Sequence, residues 1–252
     1  MATKNPFRQH GMTHVSPSSL TMFASDPSKT IAKLLGHRGP TSAAMQRGIA
    51  VEEGLVHWLK GYSDPLNAAR VSYDMGMRFM PSTGDLEEER ANIEPMLKQA
   101  MKAVERFGAP EWPAEGKQHK IEMDIHYGDG DDDHIPLIGY LDLVFAEHVV
   151  DLKTTTRCPS SMSWAHRVQG CIYQRATNKP VSFVYVTPSK SAVLRDDNHH
   201  EMQSTIRALV RRMANFLALS DDLEVLRAAV PVVVDGWSWR GEEKARQTLF
   251  GI

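Results

Sequence analysis

Cysteine is nearly missing from this chain, whose 252 residues hold two, Cys158 and Cys171. Two thiols cannot staple a scaffold, and they fall short of a four-thiolate zinc or iron–sulfur site. They read as reduced thiols of an intracellular protein. Long apolar runs are missing too. None approaches the ~18 residues of a membrane span, and the polar start Met1-Ala2-Thr3-Lys4 lacks the apolar stretch of a signal peptide. The expectation is a soluble, cytoplasmic protein without a membrane partner. Neither charge sign dominates, with 29 Lys+Arg against 31 Asp+Glu and a net charge of -2. No global basic field therefore announces a nucleic acid, and a nucleic-acid partner would need locally focused positive charge. Internal repeats, a P-loop, a Gly-x-Gly-x-x-Gly turn and a Gly-x-Ser-x-Gly elbow are all lacking, which sets aside nucleotide-binding and hydrolase-elbow readings.

What is present is an ordinary globular composition, 42% hydrophobic, in a chain long enough to bury a sizeable core. Ser16-Pro17 and Asp26-Pro27 read as N-caps followed by Pro at the first helical position. Residues 43–60 form a helix with Ala44, Gly48, Val51, Leu55 and Trp58 on one stripe. Residues 61–84 resist assignment. Residues 85–107 are helical, with a break expected at Pro95. After Pro110 and Pro113 the pattern turns to strands at 120–127, 137–145 and 148–154. A helix at about 160–176 follows, then a strand at 181–187 and an amphipathic helix at about 198–218. The end of the chain is ambiguous. This order reads as one α/β domain with helical additions.

The most informative segment runs from Gly139 to Lys153. Folded as a hairpin turning at Ala146-Glu147, it sets Val144 opposite Val149, Asp142 opposite Asp151 and Tyr140 opposite Lys153. Alternation then puts Asp142, Asp151 and Lys153 on one face, and Leu141, Leu143, Phe145, Val150 and Leu152 on the other, apolar one. Two like charges directly opposite destabilise a sheet. A divalent cation compensates for them, since Mg²⁺ takes one or two carboxylates plus waters and phosphates. A neighbouring lysine then orients or deprotonates a bound water, a layout for metal-assisted phosphodiester hydrolysis. A solvated strand face with a salt bridge is the alternative. The acidic run Asp129, Asp131, Asp132, Asp133 lacks the later Glu of a calcium loop and reads as a hairpin tip.

Asp142, followed after eight residues by Asp151-Leu152-Lys153, resembles the signature of the PD-(D/E)XK nuclease superfamily. Gly139-Tyr140-Leu141-Asp142 and Asp151-Leu152-Lys153-Thr154-Thr155 are similar to its RecB-type and λ-exonuclease-type branch, of the phage recombination kind. Three further pieces fit in order: Ser16-Pro17-Ser18-Ser19-Leu20 resembles the branch's opening helix, Arg47-Gly48-Ile49-Ala50-Val51-Glu52 its upstream helix motif, and Gln169-Gly170-Cys171-Ile172-Tyr173 its Gln-x-x-x-Tyr helix. Together they span roughly residues 16–187, two thirds of the chain.

The resemblance implies a restriction-endonuclease-like core, a mixed central sheet flanked by helices, within one domain over 1–252. Helical segments would be added at about 61–115 and 190–252. It implies a DNA exonuclease of phage recombination or DNA repair, acting 5′→3′ on duplex ends. Glu52 (or its neighbour Glu53), Asp142, Asp151 and the Leu152 carbonyl would hold one or two Mg²⁺ or Mn²⁺ ions, and Lys153 would serve the water. Gln169 and Tyr173 would contact phosphate or Lys153, and Arg47 a DNA phosphate. Arg167, Arg175, Lys179 and Lys190 are candidates for a basic DNA lining. The cysteines that family members use for an iron–sulfur cluster are not at the matching positions, so no cluster is expected. Partners implied are DNA, as duplex ends or single strands, a single-strand annealing protein and further copies of the chain. An endonuclease on the same core and a non-catalytic DNA- or protein-binding module are the competing readings.

Overall fold

The computed structural model describes residues 5–78, 82–111, 119–195, 199–234 and 237–252. Pro113 and the side chains of His199 and His200 lie outside the described residues. Helices α1 (Pro6–Gln9), α2 (Pro17–Ser25) and α3 (Pro27–Leu34) each carry Pro at the start, where its missing N–H is no loss. Ser16 and Ser19 form the reciprocal capping box of α2, and Asp26 caps α3. Strand β1 (Thr41–Ser42) leads into α4 (Ala43–Leu59), and α5 (Pro65–Met77) occupies the stretch that its sequence leaves unassigned. β2 (Ser82–Thr83) pairs with β1. The expected break at Pro95 falls earlier, at Asn92, between α6 (Leu86–Ala91) and α7 (Ile93–Val104). Pro95 sits in the first turn of α7, where the N–H groups have no intrahelical partner to lose.

Strands β3 (His119–His126), β4 (His134–Leu141), β5 (Leu143–Val144) and β6 (Val149–Thr154) follow. Then come α8 (Trp164–Thr177), β7 (Val181–Val186), β8 (Ser191–Arg195), α9 (His199–Leu217), α10 (Leu223–Ala229) and α11 (Glu243–Phe250). No helix among the described residues is long and apolar enough to cross a membrane.

The chain forms two compact units, each assembled from separate pieces. The first comprises Met1–Gly39, Ile121–Gly139 and Asn198–Ile252, the second Pro40–Lys120 and Tyr140–Asp197. The range 16–187 expected as the core draws on both. In the first unit β3 and β4 pair, Val15 bridges Leu137, and Phe7, Leu20, Ile31, Met213, Leu217 and Trp239 are buried.

The second unit is a mixed sheet in the order β5-β6-β7-β8, flanked by helices. β6 and β7 run parallel with α8 as their crossover, while β5–β6 and β7–β8 are antiparallel. Every residue of β7 is buried, which fits a strand that is apolar but for Ser182. Leu143, Val150, Leu152, Val184 and Val186 join Val51, Leu55, Tyr73, Leu97, Ala100 and Val104 of α4, α5 and α7 in one core. Each such side chain contributes about 1.5–3 kcal/mol by leaving water. The apolar face expected of the hairpin is therefore in place. The opposite face carries Asp151, Lys153, Phe183 and Tyr185 under α8. Helix and sheet come close there because residue 170 is glycine, and a Cβ at Gly170 would lie 3.0 Å from the Phe183 ring.

Candidate active site

The predicted hairpin register holds where the strands pair: Val144 faces Val149 and Leu143 faces Val150. The ladder then stops. Asp142 leaves the strand at a bend, and its Oδ2 accepts the Leu152 N–H at 2.9 Å. The expected ladder pair of Asp142 with Asp151 is thus replaced by a carboxylate bound to the next strand's main chain. The physical reason is repulsion, since two carboxylates in one cross-strand pair lack any compensating donor.

Asp151 is only 1% exposed. Its Oδ1 lies 2.6 Å from Lys153 Nζ, and its Oδ2 accepts from Gln169 Nε2 at 2.8 Å. The same Gln169 amide donates to the Tyr173 hydroxyl at 2.9 Å, which itself donates to the Tyr140 carbonyl at 2.7 Å. Gln169 and Tyr173 were expected to reach phosphate or Lys153. In the structure Gln169 reaches the acid Asp151, and with Tyr173 it ties α8 to the end of β4, because a buried carboxylate requires donors.

Helix α4 approaches β6 at Gly48, where a Cβ would lie 3.1 Å from Thr154 Oγ1. One turn further, Glu52 is half-buried and its charge acts on both Asp142 and Lys153, whereas Glu53 is exposed. The choice between the two falls to Glu52. Among the described residues, no three His, Cys, Asp or Glu side chains converge closely enough to hold an ion together. The charge of Glu52 acts on Asp142 and on Lys153.

Arg47, expected on a DNA phosphate, is 2% exposed and ion-paired with Glu89, with a further 3.3 Å bond to Thr154 Oγ1. Burial of Arg47 and of Gln46, which donates to the Ser72 carbonyl, rotates the inner face of α4 from the expected stripe at its N-terminal half. Of the proposed basic lining, Lys179 is held by Glu111 and by the Phe145 carbonyl, both at 2.7 Å. Arg175 and Lys190 are exposed. On α8, Trp164 is 39% exposed, while Val168 and Ile172 are buried.

Three carboxylates, Glu52, Asp142 and Asp151, act on one another and on the Lys153 ammonium. Burial, then the charges of Asp151 and Glu52, hold the Asp142 carboxyl well above the usual carboxylate range, outweighing Lys153 and the Leu152 N–H. Burial alone would push the Lys153 ammonium down. Asp151, Asp142 and Glu52 outweigh burial and raise it, so the side chain stays protonated. Sequence reasoning missed His166 and Tyr185. His166 Nδ1 lies 2.6 Å from the Tyr185 hydroxyl, and its ring stacks on Phe183. Burial, then the charge of Lys153, lowers its pKa. The signal was available: His166, Gln169 and Tyr173 recur at helical spacing on one face, and Tyr185 pairs with Lys153 across β6 and β7.

The donor set suits a hard divalent cation. It consists of the carboxylate oxygens of Asp142 and Asp151, of which the buried Asp151 Oδ1 lies 2.6 Å from Lys153 Nζ. Mg²⁺ needs no protein cage of three acids, because waters and substrate phosphates complete its octahedron.

No protein-family model matches the chain, and no curated protein matches it. Among solved structures it is similar to one described as "Crystal structure of SSO0001", at 14% identity and a TM-score of 0.33, covering 75% of this chain and 81% of that one. A likeness this loose carries no argument about function.

Proposed function

We propose that the protein is a Mg²⁺- or Mn²⁺-dependent deoxyribonuclease with a restriction-endonuclease-like core, acting as an exonuclease on DNA ends. The observation that carries this reading is the meeting of Asp142, bound to the Leu152 N–H, with the buried Asp151–Lys153 pair, which Gln169 and Tyr173 hold through a hydrogen-bond chain.

Asp142, Asp151 and the Leu152 carbonyl would hold the cation, with Glu52 adding its field. When bound, the cation supplies Lewis-acid charge to the scissile phosphate and its leaving oxygen. Lys153, a charged donor beside Asp151, orients the attacking water and the non-bridging phosphate oxygen. It does not act as the base, because the carboxylates around it keep it protonated. Gln169 and Tyr173 hold Asp151 in one rotamer, and Phe183 and α8 shield it from bulk water.

The test is degradation of linear against covalently closed circular duplex DNA in Mg²⁺, Mn²⁺ or EDTA, with Lys153→Ala in parallel. Metal-dependent loss of linear DNA alone, absent in the variant, is the expected result. Cleavage of both forms would move the assignment to an endonuclease. No cleavage by the folded protein with either metal would overturn it.

A further inference from the structure

A second charged feature of the same unit lies away from the aspartates. An open cavity of about 500 Å³ is lined by Gln99, Lys102 and Arg106, which are contributed by α7 and the turn after it, and by Ser189, Lys190 and Ser191 at the β7–β8 turn. Three cations and two hydroxyls therefore surround one bowl, and among the described residues no carboxylate lines it. In a chain of net charge -2 this is the local focus of positive charge that a polyanion requires. Its floor is apolar and firm, formed by Ala103, which is 7% exposed, and by Val193, packed on the core.

The cations are pre-positioned. Lys102 and Arg106 are four apart, on one side of the same helical segment. The β7–β8 turn is stitched by the buried Thr187, whose Oγ1 accepts from the N–H of Lys190 at 3.0 Å, while the Thr187 N–H donates to the Lys190 carbonyl at 2.9 Å. That turn follows the carboxyl end of β7, beside the carboxyl end of β6 where Lys153 stands, since Thr154 pairs with Val186. Open α/β sheets bind their ligands outside this end of the strands.

From these observations we infer that the bowl lined by Lys102, Arg106 and Lys190 is a phosphate-binding anchor for the backbone of a polynucleotide, separate from the site that would cut it. This rests on the nuclease reading for the identity of the polyanion, while the charge and geometry of the bowl stand independently of it. Backbone phosphates present anions at regular spacing along a strand, and ammonium, guanidinium and serine hydroxyl groups all recognise them without regard to sequence.

The experiment is fluorescence anisotropy of a labelled blunt duplex in EDTA, which prevents cleavage, over a range of salt concentrations. Wild type, the triple variant Lys102→Gln/Arg106→Gln/Lys190→Gln and the charge-preserving Lys102→Arg/Lys190→Arg are compared, with circular dichroism and melting to verify folding. The triple variant is expected to bind at least ~10-fold more weakly, and its slope of log K against log salt to flatten by roughly three. The charge-preserving variant should bind as wild type does. An unchanged affinity and slope in the triple variant would overturn the anchor. So would charge-dependent binding to vesicles of anionic phospholipid without binding to the duplex. Asp151→Asn separates the two claims. If wild type cuts no DNA yet binds it through the three cations, the nuclease reading falls and the anchor stands.

Discussion

Two buried polar clusters, one in each unit, invite comparison. In the first unit Glu242 accepts Lys29 and His37, each at 2.6 Å, and Lys29 also stands 3.9 Å from the centre of the Trp239 ring. Nearby Asp26, 1% exposed, accepts the N–H and hydroxyl of Ser28 and the hydroxyl of Ser238, and Trp239 Nε1 donates to Ser28. Every carboxylate there has matched donors. Burial would raise Glu242, yet Lys29 and His37 outweigh it and hold it below the usual range. Around Asp151 the balance is reversed, and Asp142 is held above that range. Both clusters bury charge. One satisfies it and closes the C-terminal segment onto α3. In the other, burial and neighbouring carboxylates outweigh Lys153 at Asp142, the kind of perturbed carboxyl that functional sites favour.

The sharpest way to break this comparison is to remove the proposed chemistry. Asp151→Asn and Lys153→Ala should each lower metal-dependent DNA cleavage by about 10²–10³-fold or more, the scale of losing one electrostatic group at a reacting centre. Equal losses from Glu242→Gln would mean that the contrast between the clusters is false.

Stability should respond with opposite signs. Glu242→Gln removes two charge-assisted bonds and should cost roughly 2 kcal/mol near neutral pH. Because the folded-state pKa of Glu242 is lowered, that stability is present above the unfolded value and is lost as pH falls through the folded one. The melting difference between wild type and the variant should therefore shrink in acid. Asp142→Asn should stabilise the metal-free protein by about 1 kcal/mol at neutral pH while abolishing cleavage. Here the raised folded-state pKa makes wild type lose stability as pH climbs through it, so the advantage of Asn should vanish at acidic pH. Added Mg²⁺ should raise the melting point of wild type and leave that of Asp142→Asn unmoved. Identical metal shifts in both proteins would sink the assignment of Asp142.

The smallest effect is expected from Tyr173→Phe. It removes one hydrogen bond to the Tyr140 carbonyl, worth about 1 kcal/mol, and loosens Asp151 through Gln169. Cleavage should fall several-fold with the dependence on metal concentration little changed. A loss as large as that of Lys153→Ala would give Tyr173 a direct role.

Much of the architecture was legible in the chain. Ser16-Pro17 and Asp26-Pro27 start helices because capping and the fixed φ of proline are local effects. The register Val144 to Val149 followed from placing the hairpin turn at Ala146-Glu147. The errors share one cause, which is polar side chains buried by partners distant in sequence. Arg47 reads as a surface cation until Glu89, 42 residues on, claims it. That the Gln169 amide donates to Asp151 in particular depends on how α8 packs over β6. His166 of α8 went unnoticed because its partner Tyr185 lies 19 residues on, in β7.

The sequence by itself determined the caps, the alternation of β6, the apolar run of β7 and the presence of Asp142, Asp151 and Lys153 on neighbouring strands, all through interactions within a few residues. Only the tertiary structure decided that Asp142 bends out of its ladder, that Glu52 and not Glu53 bears on the pair, and that Lys102, Arg106 and Lys190 meet around one bowl. Those outcomes depend on electrostatics and close approach between segments that no local pattern encodes. A glycine at position 48 has its consequence only where Thr154 comes to meet it.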